Sequence, residues 1–142
     1  MANAVIATSI ALTIGWASHY NPGIFERVVE NRVRWDQISW TQARAAECYA
    51  AGRYPEYIGR TIYIKRDKSK IGLENDWIPC LIVDVAGIAD GGLDWMLSNN
   101  VIVEVDPNTM LRLNGRLGGG VKIRATFKKM TKIQKSHKFI MY

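Results

Sequence analysis

The chain has 142 residues, and its 19 Lys and Arg against 13 Asp and Glu give a formal net charge of +6. This length suits one domain, which can bury roughly two-thirds of its unfolded surface without covalent staples. Two cysteines exclude a framework of several disulfides, and with two histidines they show no metal-ligand spacing. We therefore expect neither a metal site nor another cofactor.

The positive charge is concentrated in the last fifteen residues, 128–142, which contain five lysines and no acid. The rest of the chain is nearly neutral, with 14 basic and 13 acidic residues. A basic tail either stays solvated or binds a polyanion. Because no zinc-finger, P-loop or RNA-binding motif accompanies it, an acidic polymer or an acidic neighbour is favoured over nucleic acid. The lysines are Lys128, Lys129, Lys132, Lys135 and Lys138.

Residues 4–17 are mostly apolar and precede the first charged residue, Glu26. A signal peptide needs a basic n-region, which only the α-amino group could supply here. A membrane span needs about twenty apolar residues, and this run is shorter and interrupted by Ser and Thr. Large and small residues alternate along it, which is the period of a β-strand. The pattern favours a retained strand, with a signal peptide as the alternative.

The predicted strand continues through residues 15–20 and stops at Asn21-Pro22-Gly23, a strong turn signal. Residues 25–33 are predicted to hold another short strand. A helix is predicted over residues 39–51, because a Ser-x-x-Gln capping box opens it and five alanines favour it. Gly52 suits the position that closes such a helix.

The second half of the chain alternates strand signals with short helix signals. Asp106 followed by proline is a sharp helix start, and Gly115 ends that helix. Pro79 indicates an edge or a bulge at the start of its strand. Short helices among strands that need distant partners are typical of a compact α+β or β-barrel fold. The strands are predicted at residues 60–66, 77–85, 101–105 and 121–127, and a further short helix at residues 93–99.

Four segments of the chain follow one another in the order expected of one family. They are Ala17-Ser18-His19-Tyr20, the alternating stretch 58–64, the strand end Val83-Asp84 with Gly91-Gly92-Leu93-Asp94 after its loop, and residues 103–113. In this order they resemble the double-psi β-barrel domains of expansins, barwins and rare-lipoprotein-A-like proteins. The resemblance covers roughly residues 15–127.

The resemblance implies a fold that is mostly β with short helices, namely a six-stranded double-psi β-barrel with an extra N-terminal strand. It divides the chain into three parts. Residues 1–14 are an apolar strand or signal-like segment, residues 15–127 form the barrel domain, and residues 128–142 are the lysine-rich tail.

Relatives of this kind bind or act on polysaccharide in a groove across one face of the barrel. The resemblance therefore implies a secreted or cell-envelope domain that binds, and in the active case cleaves, cell-wall polysaccharide or peptidoglycan. In hydrolytic and lytic members, groove carboxylates do the acid and base work, and their equivalents here would be Asp84 and Asp106, assisted by His19. Trp16 and Trp95 are predicted to be core residues. The remaining aromatic candidates for a sugar platform are Tyr20, Trp35, Trp40 and Trp77.

Each carboxylate also has a structural interpretation. If Asp84 lies in a groove with apolar walls, desolvation would raise its pKa, as a general acid requires. If it lies in an Asx-type turn, it would accept hydrogen bonds from backbone amides of residues 85–92. Capping a helix accounts for Asp106 fully. The family's Asn-Asp-Arg-Gly-Pro run is replaced at residues 83–87 by Val-Asp-Val-Ala-Gly. A barrel that binds without cleaving is therefore an alternative.

A different class of function is a non-catalytic structural subunit. The apolar residues 1–14 could complete the sheet of a neighbouring copy by β-augmentation. Head-to-tail contacts of this kind build a filament or sheath when they do not close. The sequence leaves open whether Cys48 and Cys80 form a disulfide.

Overall fold

The computed structural model describes residues 12–68 and 76–130. Most of the apolar N-terminal segment, and Lys132, Lys135 and Lys138, lie outside the described residues. The strands are β1 Thr13–His19, β2 Cys48–Gly52, β3 Thr61–Arg66, β4 Ile78–Val85, β5 Val101–Val105 and β6 Val121–Thr126. The helices are α1 Ile24–Arg34, α2 Trp40–Ala45, α3 Gly92–Ser98 and α4 Pro107–Asn114, with a 3₁₀ turn at Pro55–Tyr57.

The six strands close into a barrel in the order β1-β5-β2-β4-β3-β6. The pairs β1–β5 and β2–β4 are parallel, and the other four are antiparallel. This pattern is unchanged when β1, β2 and β3 are exchanged for β4, β5 and β6, so the two halves of the barrel are topologically equivalent. The predicted fold class, mostly β with a closed six-stranded barrel and a few short helices, is confirmed.

Each strand of the barrel has a neighbour on both sides. The described part of the barrel therefore offers no free edge to which an arm from another copy could pair. Assembly through residues 1–14 stays a prediction, since residues 1–11 lie outside the described residues.

The barrel interior is filled by branched aliphatic side chains and by one disulfide. Cys48 and Cys80 are opposite each other in the β2–β4 pair, and their sulfurs are bonded. Both residues are buried. The disulfide therefore fastens a parallel strand pair inside the core, joining residues that are 32 positions apart in the chain.

A second apolar cluster covers the outer face of β2 and β4. Phe25 and Val29 of α1 pack there with Leu81 and Val83 of β4. Because β4 is buried inside the barrel and also beneath α1, its residues 80–83 are apolar on both faces. This explains the uninterrupted apolar run that marks β4 in the sequence.

Two predicted elements are wrong. Residues 25–33 form a helix, not a strand, and their apolar residues recur at the three- and four-residue spacing of one helix face. The helix predicted over residues 39–51 ends at Ala45, and β2 follows from Cys48. Ala50 and Ala51 have no exposed surface in the core. Tertiary packing thus overrides their preference for helix.

The alternation predicted in the first strand is present, but its large residues face outward. Leu12, Ile14 and Trp16 are each more than two-fifths exposed, whereas Gly15 and Ala17 are buried. Pro79 lies one position before β4 begins to pair with β2. Its missing N–H therefore removes no bond on that side of the strand.

Candidate functional site

The candidate site lies on the outer face of the parallel β1–β5 pair. Three alternating valines of β5 are buried, so Glu104 projects to the opposite side of the strand. Ser18 is its register partner in β1. The Ser18 hydroxyl donates a hydrogen bond to Glu104 Oε2 over 3.1 Å. Residues 86 positions apart in the chain therefore build one half-buried acid site.

The environment of Glu104 favours its protonated form. Burial raises the pKa of this carboxyl group, and the negative charge of Asp84 raises it further. The hydrogen bond from Ser18 and the proximity of His19 oppose the shift without cancelling it. Glu104 therefore keeps its proton to a higher pH than an ordinary glutamate. That property is what a general acid requires.

Asp84 lies at the end of β4 and is held by two side chains. Tyr20 Oη donates to Asp84 Oδ2 over 3.0 Å, and Arg32 Nη2 donates to Asp84 Oδ1 over 3.1 Å. Arg32 is itself fixed by a 2.8 Å hydrogen bond from Nε to the carbonyl of Val83. The Asx-type turn belongs to Asp90, which accepts the amide of Gly92. Asp84 is thus an ion-paired carboxylate, not a turn residue.

Tyr20 connects helix α1 to Asp84. Its ring stacks on Phe25 with 4.6 Å between centroids. Burial, together with the charge and hydrogen bond of Asp84, raises the pKa of Tyr20 well above its ordinary value. The phenol therefore remains a hydrogen-bond donor at all physiological pH values. His19 Nδ1 lies 2.9 Å from the carbonyl oxygen of Tyr20.

An open cleft of about 630 Å³ runs past Glu104. Trp16 and Trp95, 43% and 48% exposed, contribute to its walls. The prediction that these two tryptophans are core residues is wrong. The cleft is lined further by His19 and by a glycine loop at residues 118–120. Because Gly120 carries no side chain, the Trp16 ring beside it stays accessible from that side.

Asp84 and Asp106 do not share this cleft. Asp106 caps α4 and accepts bonds from the Thr109 amide, the Thr109 hydroxyl at 2.7 Å and the Tyr49 amide at 3.2 Å. It lines a separate cavity of about 180 Å³. Asp84 is not among the residues that line the Glu104 cleft and acts on Glu104 through its charge. The structure therefore places the two predicted carboxylates in different environments.

The predicted sugar platform is dispersed over the surface. Trp35 lies beyond the end of α1, with the guanidinium of Arg32 5.8 Å from its ring. Trp40 pairs with Arg44, and Trp77 pairs with Lys65. These three tryptophans do not line the Glu104 cleft. Of the four predicted platform residues, Tyr20 is the one that donates a hydrogen bond to Asp84.

Sequence reasoning missed Glu104, Ser18 and Arg32. One available signal was the alternation of β5, since buried valines on both sides of Glu104 place its carboxylate on the outer face of the strand. The pairing with Ser18 has no local signal, because it depends on the crossover that brings β5 beside β1.

Among residues 12–68 and 76–130, no cluster of three or more His, Cys, Asp or Glu side chains could hold a metal ion. The same residues contain no helix long and apolar enough to cross a membrane. Comparison with known proteins found no matching family model, no significantly similar curated protein and no significantly similar solved structure.

Proposed function

We propose that this chain is a polysaccharide-binding domain of the double-psi β-barrel type, with the glycan lying in the Trp16–Trp95 cleft across Glu104. The observation that carries the proposal is the combination of two exposed indole rings with a half-buried acid. Aromatic side chains that present an apolar face and a polar edge suit sugar rings, which also have apolar faces and polar rims.

The strand pairing supports the family assignment. The resemblance implies a six-stranded barrel, and six strands close into a barrel here, in a pairing pattern that is unchanged when β1–β3 are exchanged for β4–β6. The two parallel pairs require crossover connections, because a hairpin pairs its two strands antiparallel.

The disulfide supports a location outside the cytosol. Cys48 and Cys80 are bonded in the core. Disulfides persist in secreted and envelope compartments and are rare in the reducing cytosol. A secreted or cell-envelope location is consistent with a domain that meets wall polysaccharide.

Glu104 is the proposed general acid if the bound glycan is cleaved. Its raised pKa keeps a proton available for the leaving glycosidic oxygen. Asp84 is ion-paired with Arg32, and its negative charge helps to hold that proton on Glu104. Asp84, predicted as catalytic from the sequence, is in this proposal a positioning residue.

Binding is tested by sedimentation with insoluble peptidoglycan and with cellulose, comparing wild type, Trp16→Ala, Trp95→Ala and Trp35→Ala. Trp35 is the matched control because it is 61% exposed and does not line the cleft. We expect the two cleft variants to lose roughly tenfold or more in affinity for the glycan that the wild type retains, and the control to bind normally. Full binding by both cleft variants would refute the proposal.

Cleavage is tested separately by measuring soluble sugar released from the bound polymer. Glu104→Gln is expected to bind with unchanged affinity and to release no product, because the amide cannot donate the required proton. If the wild type releases no product either, the domain binds without cleaving. If Glu104→Gln releases product at the wild-type rate, Glu104 is not the acid.

A further inference from the structure

A second and larger cavity, of about 670 Å³, lies where β2, β3 and β6 meet the first residues of β1. It shares no lining residue with the Glu104 cleft. Its volume falls in the range of small-molecule sites. We call it the arginine–tyrosine cavity and define it by Arg53, Tyr54, Tyr57, Arg60, Phe127 and Lys128.

Aromatic contacts hold one arginine of this cavity in place. The Arg60 guanidinium carbon lies 3.9 Å from the ring centroid of Phe127 and 5.4 Å from that of Tyr57. The Tyr57 and Phe127 rings contact each other with 4.9 Å between centroids. A guanidinium that lies over aromatic rings keeps its N–H edges available, and it loses little further freedom when it binds an oxyanion.

The cavity has positive charge and no acid. Arg53, Arg60 and Lys128 line it, and no Asp or Glu does. Arg53 is anchored by a 2.8 Å hydrogen bond to the carbonyl of Val101. Among the described residues, Arg60 forms no ion pair with a carboxylate. Three cations beside one cavity without a counter-charge favour an anionic ligand.

We infer that the arginine–tyrosine cavity binds the carboxylate group of an acidic glycan, such as a polymer of uronic acid. The Arg60 fork receives the carboxylate, and Tyr54, which is 37% exposed, offers the remaining ring surface to the sugar. The choice of a glycan as the carrier of the carboxylate rests on the proposed function, whereas the preference for an anion rests on the cavity itself.

Single-stranded nucleic acid fits the cavity less well. Nucleic acid of this kind binds by stacking bases on open aromatic faces along a positively charged groove. Here Arg60 lies over the rings of Tyr57 and Phe127. A base that stacked on these rings would have to displace the Arg60 guanidinium, which is the group that would bind a carboxylate.

The test is isothermal titration at low ionic strength with trigalacturonate, with an uncharged glucose trisaccharide and with a short oligo-dT. We expect trigalacturonate alone to bind, with an affinity that falls as salt is added. Arg60→Gln should weaken binding by roughly tenfold or more, because the charged hydrogen bonds are lost. Arg44→Gln is the matched control, since Arg44 also stacks on an aromatic ring but does not line this cavity.

A second variant tests the same cavity in case Arg60→Gln does not fold. Tyr54→Ala removes an exposed ring and should also weaken trigalacturonate binding. Equal binding by wild type, Arg60→Gln and Tyr54→Ala would overturn the inference, as would equal binding of the uncharged trisaccharide or tighter binding of oligo-dT. Loss of trigalacturonate binding in Trp95→Ala but not in Arg60→Gln would also overturn it, while leaving the Trp16–Trp95 cleft as the glycan site.

Discussion

Ser18 and Glu104 are opposite each other in a parallel strand pair, and the Ser18 hydroxyl donates to the Glu104 carboxyl group over 3.1 Å. A hydrogen bond to a carboxylate stabilises its charged form, so Ser18 lowers the pKa of Glu104 against the larger effect of burial. Ser18→Ala should therefore raise the pKa of Glu104 further. A carboxyl titration followed by NMR would measure it, and an unchanged or lowered pKa would contradict this account of the site.

Glu104 should make the protein less stable as the pH rises. Its pKa in the folded state is raised above the unfolded value, so the folded state binds the proton more tightly. Stability from this group is fully present below the unfolded pKa and declines between the unfolded and folded values. Glu104→Gln should remove that decline. The effect should stay under about 1 kcal/mol, because the side chain is only half buried and solvent screens it.

The measurement for Glu104 is urea unfolding at a series of pH values for the wild type and Glu104→Gln. As the pH rises from acidic to neutral, the unfolding free energy of Glu104→Gln should increase relative to that of the wild type. The amide oxygen introduced by this substitution still accepts a hydrogen bond from the Ser18 hydroxyl, so the comparison isolates the charge. A difference that does not change with pH would contradict the prediction.

Arg32→Ala should destabilise the barrel by about 2 kcal/mol, because it leaves Asp84 half buried without its ion pair and frees the Val83 carbonyl. Arg44→Ala, which changes an exposed arginine, should stay within about 0.5 kcal/mol of the wild type. Both values come from urea unfolding. In Arg32→Ala/Asp84→Asn, part of the loss should be recovered, since the unpaired charge is gone. No recovery would show that the ion pair with Asp84 does not account for the loss.

Local patterns predicted the parts of the fold that depend on local forces. Local strand signals predicted β3, β4, β5 and β6, and Asp106 before proline predicted the start of α4. The β2 strand was missed because Ala50 and Ala51 favour helix in isolation, and they are small because they fill the crowded core. The site was harder to predict, because the contacts of Glu104 and Asp84 with Ser18 and Arg32 join residues 86 and 52 positions apart.

Asp106→Ala should lower stability by about 2 kcal/mol without reducing glycan binding, because it removes the cap of α4 and the acceptor for the Tyr49 amide. Asp106 lines a cavity that does not include the cleft tryptophans. Urea unfolding and polysaccharide sedimentation would be measured on the same sample. Loss of glycan binding at a temperature where the variant is folded would contradict this prediction and show that Asp106 contributes to binding.

Gly120 is the residue at which cleft shape and backbone conformation are linked. Its φ of +65° lies in the left-handed region, and a Cβ there would be 3.2 Å from the Ala17 carbonyl oxygen and 3.8 Å from the Trp16 ring. Gly120→Ala should therefore destabilise the protein by about 1 kcal/mol and weaken glycan binding by moving the loop or the Trp16 ring.

Gly118 provides the matched control in the same loop. It has no positive φ, and a Cβ placed on it meets nothing within 4 Å. Gly118→Ala should therefore leave unfolding and sedimentation unchanged. If both alanine variants bind glycan equally well, the backbone conformation of Gly120 does not shape the cleft. If only Gly120→Ala loses affinity, a glycine is required at this position because it lets the loop approach β1 and leaves the Trp16 ring free to bind sugar.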